Sequence, residues 1–257
     1  REASFVLRAD REIVLAAIQQ NVHALSYASK ELKADREIIM VAVQNDGRAL
    51  QYASEELRAD REIVMTAVQR WSPHNISALE YASKELRADR EIVLAAVQSW
   101  GGALEFSSKE LKADRKFMLA AIQNSGGAVV IQNASPELRD DREIVLAAIQ
   151  QNVHALSYAS DELRADREIV LAAIQCAVQK DPEDWPTIGN HPTGIEYASD
   201  ELRADREIVM AAVQNDGRAF DYASKELRSD REIVLAAVQN YGDALQNASD
   251  ELRADPE

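Results

Sequence analysis

The chain has 257 residues, 46% of them hydrophobic and 28% charged, with a formal net charge of −15. That length supports a sizeable core, while the acidic balance argues against phosphate-backbone binding, which needs clustered Lys and Arg, and favours neutral or basic partners. No apolar run approaches the roughly 18–20 residues of a membrane span, and the single cysteine, Cys176, excludes an internal disulfide framework and favours an intracellular reducing compartment or organelle.

Residues 1–9 read as a partial unit. A stretch of the type DREIVLAAVQ then recurs nine times, starting at Asp10, Asp35, Asp60, Asp89, Asp114, Asp141, Asp166, Asp205 and Asp230. Successive starts lie 25, 25, 29, 25, 27, 25, 39 and 25 residues apart, a period that marks a stacked-repeat architecture. One unit reads D-R-E-I-V-L-A-A-V-Q-x-x-G-x-A-L-x-Y-A-S-x-E-L-R-A over positions 1 to 25, and Asp255-Pro256-Glu257 starts a further one. The expected fold class is all-α: an α-solenoid of nine 25-residue helical repeats forming a single array over residues 1–257. Each repeat is a long helix, a loop, and a short helix plus a one-turn segment.

The long helix comes first in each unit. Positions 4, 5, 8 and 9 are apolar (Ile92, Val93, Ala96 and Val97 in the fourth copy), and that spacing makes one face of a helix. Asp at position 1 and Ser at position 20 are N-cap residue types, each followed two residues on by Glu, which suits the positive helix end. Pro136 and Pro256 directly follow two such caps, at the first-turn position that proline tolerates. Asp-Arg-Glu is therefore read as a cap, a solvated or inter-repeat ion-pair partner and a dipole complement, not as acid–base machinery. Ala at position 8 occurs in all nine copies, where a small residue lets neighbouring helices come close. Gln at position 10 is also in every copy and is expected to tie the helix end to a neighbouring backbone. One unit buries too little to offset the entropy of ordering its residues, so unit-to-unit interfaces must supply the stability.

ELRADREIVLAAVQ together with G-x-A-L-x-Y-A-S resembles the tandem helical repeat known as domain of unknown function 4116 (DUF4116), over essentially the whole of residues 3–257. The resemblance implies an all-helical array and carries over no catalytic residue, since the family brings no established activity. The fifth copy departs from the pattern, with Lys116-Phe117-Met118 and Ala128-Val129-Val130-Ile131.

The copies differ mainly between positions 11 and 15, in the loop after the long helix, where the glycines, histidines and tryptophans gather. Gly47, Gly217 and Gly242 sit where a helix commonly ends with positive φ. Trp71, Trp100 and Tyr241 share position 12. The third copy is four residues longer, the fifth two and the seventh fourteen. In the seventh, the helix is expected to gain a turn through Ala177 and Val178 before a proline-rich loop, read either as a binding loop on a rigid scaffold or as tolerated drift at the surface.

Trp71, His74, Trp100, Trp185, His191 and Tyr241 are the candidate partner-binding residues, as aromatic and imidazole groups suit interface anchors. His23 and His154 fall in identical segments five units apart, and His74 and His191 lack the spacing of a zinc site. No His is placed by sequence to activate Cys176. Catalytic and metal-binding residues are therefore assigned as none, and no cofactor is called for. The function expected is a non-catalytic scaffold or linker that binds protein partners through an acidic solenoid and its variable loop edge, as a subunit of a larger assembly, with no nucleic acid involved. The alternative is small-molecule or pigment binding in a pocket lined by the Trp-bearing loops.

Overall fold

The computed structural model describes residues 7–70, 78–178 and 193–254. They fall into two compact units, Arg1–Ser125 and Gly126–Glu257, divided inside the fifth copy. Among the described residues there are helices and turns and no strand, and the protein is an all-α solenoid of tandem repeats.

In the first unit the long helices are Arg11–Gln20, Arg36–Asn45, Arg61–Val68, Arg90–Ser99 and Arg115–Ser125. In the second they are Arg142–Gln151, Arg167–Val178, Arg206–Asn215 and Arg231–Asn240. Their starts follow from the caps. The Asp60 carboxylate accepts the amide N–H groups of Glu62 and Ile63 at 3.0 and 3.1 Å, satisfying two of the donors that a helix start leaves open. The same geometry recurs at Asp35, Asp89, Asp166, Asp205 and Asp230. The seventh helix does gain its extra turn, to Val178.

The short second helix is a 3-10 helix in most copies, as in Val22–Tyr27, Gly47–Tyr52, Val153–Tyr158 and Gly217–Tyr222. It lies between two extended residues, at positions 12 and 19. Three residues per turn puts positions 13, 16 and 19 in line, and Val22, Leu25 and Ala28 are all buried. In the fifth copy Ala128–Gln132 is α-helical instead, entered through Gly126 and Gly127, both with positive φ. Several of the 3-10 helices pack on the next long helix: Gly47–Tyr52 on Arg61–Val68, Val153–Tyr158 on Arg167–Val178, and Gly217–Tyr222 on Arg231–Asn240.

Two expectations need correction. Gly47, Gly217 and Gly242 do not have positive φ; among the described glycines that belongs to Gly126, Gly127 and Gly194. Close approach explains Gly47 and Gly217 instead. A Cβ on Gly47 would lie 2.2 Å from the Ala67 carbonyl oxygen, and one on Gly217 2.4 Å from that of Ala237, so position 13 rests on the backbone at position 8 of the next repeat. Second, the glutamines at position 10 are exposed in all nine copies. Gln98 reaches the Asn124 side chain at 3.3 Å, but the tie to a neighbouring backbone is made one residue later. Asn45 Nδ2 donates to the Ile18 carbonyl and Asn240 Nδ2 to the Val213 carbonyl, both at 3.0 Å.

Candidate functional site

The recurring Asp-Arg-Glu side chains run as a ladder between repeats. Within each unit the Arg at position 2 reaches forward to the acidic side chains at positions 1 and 3 of the next copy, or to position 1 alone where Lys116 stands at position 3. In the first unit Arg11 pairs with Asp35 and Glu37, Arg36 with Asp60 and Glu62, Arg61 with Asp89 and Glu91, and Arg90 with Asp114. In the second unit Arg142 pairs with Asp166 and Glu168, Arg167 with Asp205 and Glu207, and Arg206 with Asp230 and Glu232. Partial desolvation would lift the Asp60 carboxyl, but the Ile63 amide and the Arg36 guanidinium outweigh it and hold the group below the usual carboxylate range. At Asp230 the Arg206 guanidinium is the largest cause of the same depression. Such groups stay ionised, the wrong state for a general acid at neutral pH.

A backbone ladder runs beside the ionic one. Within each unit the Ser at position 20 donates its amide N–H to the carbonyl at position 24 of the preceding copy, as from Ser54 to Lys33, Ser83 to Arg58 and Ser199 to Arg164, each at 2.9 Å. Its hydroxyl caps the one-turn segment that follows, as Ser54 does for the Leu57 amide, except at Ser135, which makes no capping hydrogen bond. These two ladders fix the register of neighbouring repeats and leave the 3-10 edge as the variable surface.

That edge is built from positions 12, 14 and 18. Position 12 closes the long helix and opens the 3-10 helix. Asn21, Asp46, Asn152 and Asp216 stand there, and each side chain accepts the amide N–H two residues on at 2.9 Å. Trp100 and Tyr241 occupy the same position with no such hydrogen bond. Both are half-buried. The indole of Trp100 lies back over Gly102, whose missing Cβ would fall 2.3 Å from Cζ2. The Asp243 carboxylate raises the Tyr241 phenol above its ordinary value. Trp100 belongs to the first unit and Tyr241 to the second. Trp71, His74, Trp185 and His191 lie outside the described residues.

Position 14 reaches across to the tyrosine at position 18 of the next copy. His23 Nδ1 and the Tyr52 hydroxyl are hydrogen-bonded at 2.7 Å, and His154 makes the same bond to Tyr197. Burial lowers the His154 pKa against the opposing pull of Glu196. Burial, with Glu196 adding to it, pushes the Tyr197 phenol far up. In the Gly-Arg copies position 14 turns inward to its own cap: Arg48 holds Asp46, and Arg218 holds Asp216, each with its closest contact at 2.6 Å. The position-18 aromatics Tyr27, Tyr52, Tyr81, Phe106, Tyr158, Tyr197 and Tyr222 are the edge residues that sequence reasoning missed. Their recurrence outside any helical apolar stripe was the available signal.

Among the described residues no group of three or more His, Cys, Asp or Glu side chains is placed to hold a metal ion, and no helix is long and apolar enough to cross a membrane. Cys176 is half-buried near the end of its long helix.

No curated protein and no solved structure matches the chain. The family model described as Domain of unknown function (DUF4116) matches residues 1–33, 35–87, 73–112, 89–139, 114–164, 141–184, 166–228 and 205–253. Those eight overlapping stretches tile the ladders and caps described above nearly from end to end, and the protein belongs to the DUF4116 family.

Proposed function

We propose that this protein is a non-catalytic scaffold or linker that holds protein partners on the 3-10 edge of its acidic repeats, within a larger assembly. One observation carries the reading: Trp100 and Tyr241 stand where four other copies place a capping Asn or Asp, and they forgo the capping hydrogen bond. A cap of this kind contributes on the order of 0.5–2 kcal/mol. Large half-exposed aromatics kept where folding would be served better by Asn are what an interface anchor requires. The net charge of −15 favours partners with a basic face and an on-rate that falls as salt rises.

The test uses a fold-safe double variant, Trp100→Asn with Tyr241→Asn, since Asn21 and Asn152 already serve at that position. Proteins captured from the native source by the wild type are expected to be lost, while the melting temperature holds or rises. Capture of the same partners at the same strength by the variant overturns the proposal.

A further inference from the structure

The one-turn segment at positions 21 to 24 carries a cation at position 24 in every copy. Elsewhere that cation is usually satisfied in one of two ways. Arg164, Arg203 and Arg253 pair with an Asp three residues earlier, Asp161, Asp200 and Asp250. Lys33, Arg58, Lys112 and Arg228 donate to a carbonyl seven residues earlier. Arg87 does neither. Its Nε is buried without a partner, as are those of Arg58, Arg139, Arg164 and Arg203, but position 21 of the Arg87 copy is Lys84, a second cation.

Lys stands at position 21 in the first, third, fourth and eighth copies, as Lys30, Lys84, Lys109 and Lys225. Only the third and fourth are neighbours, and a recess of about 470 Å³ opens between their segments. Lys84, Arg87 and Lys109 line it, with Glu110 as the single acid, so the lining carries a net charge of +2 in a chain of −15. Charges elsewhere on the chain are screened beyond about 8 Å at physiological salt, so the local excess governs what enters. Glu110 is already engaged: its own amide and the Ser108 hydroxyl hold its carboxyl below the ordinary range.

The same recess is where the fourth copy departs from the consensus Tyr-Ala at positions 18 and 19. Phe106 removes a hydroxyl and leaves a bare ring, and Ser107 adds one, donating to the Leu104 carbonyl at 2.8 Å while its lone pairs remain. Three features therefore meet at one place: an arginine that makes neither of the two usual contacts, lysines at position 21 of neighbouring copies and an exchanged aromatic. The volume falls within the range of small-molecule sites, which combine apolar walls with a few fixed polar groups.

We infer that this recess binds a small organic anion, one carboxylate or phosphoryl group on a ring-sized apolar body, with the anion between Lys84, Arg87 and Lys109 and the ring against Phe106. The inference is independent of the scaffold reading. Arg suits either head group through paired N–H donors.

Calorimetric titration of the whole chain with benzoate, phenyl phosphate, inorganic phosphate and benzyl alcohol tests it. The Lys84→Asp variant is the control, because Ser-Asp-Glu-Leu-Arg is already the sequence of the sixth, seventh and ninth copies and the new acid would engage Arg87. Benzoate or phenyl phosphate is expected to bind, whichever does identifying the head group, and Lys84→Asp is expected to weaken it by roughly tenfold or more at an unchanged melting temperature. The inference fails if neither aryl anion binds, if benzyl alcohol or inorganic phosphate binds as tightly, or if Lys84→Asp leaves the affinity as it was.

Discussion

Residues 10–29 and 141–160 are the same twenty amino acids in the same order, one stretch in each unit. Both fold alike: a ten-residue α-helix, then a 3-10 helix of six, with Asn21 at φ −157° and Asn152 at −159° between them. Their burial is unlike. Ile13 is 45% exposed and Ile144 0%; Tyr27 is 68% exposed while Tyr158 is half-buried. In the second stretch the helix Ala128–Gln132 packs on Arg142–Gln151, and no comparable element is described before Asp10. Identical sequence thus sets identical dihedral angles, whereas solvent exclusion is conferred by the neighbour.

The largest expected contrast lies in the core stripe. Ile144→Ala should cost about 2–5 kcal/mol, and Ile13→Ala about 1 kcal/mol or less, because nearly half its surface already meets water. Denaturant midpoints of the two variants measure this, and equal losses would break the comparison. Position 8 comes next. A Cβ on Gly127 would lie 2.5 Å from the Ala148 carbonyl oxygen, so Ala148→Val should overpack by about 1–3 kcal/mol. Ala17→Val, at a half-buried site, should be close to neutral.

The caps sharpen the point from the opposite side. Asn21→Ala and Asn152→Ala remove the same local hydrogen bond, at 2.9 Å in both. Each should lower stability by about 1 kcal/mol, and the two losses should agree.

The smallest effect is in the histidines. Burial depresses the His154 pKa, so its neutral form is favoured in the folded state. The associated stability is present above the unfolded value of about 6.5 and is lost as pH falls through the folded one. Ring proton shifts followed by NMR should show His154 titrating below that value, and His154→Gln should flatten the corresponding loss of stability with acid.

The ionic ladder shows how legible this protein was. The nine Asp starts, the Ser caps and the extra turn before Val178 all follow from short-range rules acting on a repeated string, while the structure chose the inter-repeat role over the solvated one for Arg at position 2. Glycine and glutamine were misread for one reason: their roles depend on what the next repeat brings within 3 Å. Gly47 is required by a carbonyl contributed from the following copy, and Gln at position 10 points to solvent while Asn45 and Asn240 reach the neighbouring backbone.

The sequence alone therefore determined the repeat, its helix starts and its all-helical class, because caps and apolar spacing act within a few residues of chain. The tertiary structure decided which copies are covered, which positions touch a neighbour and where two lysines and an arginine share one recess. Those outcomes arise from packing between segments some 25 residues apart, and no local pattern encodes the distance of one backbone from another.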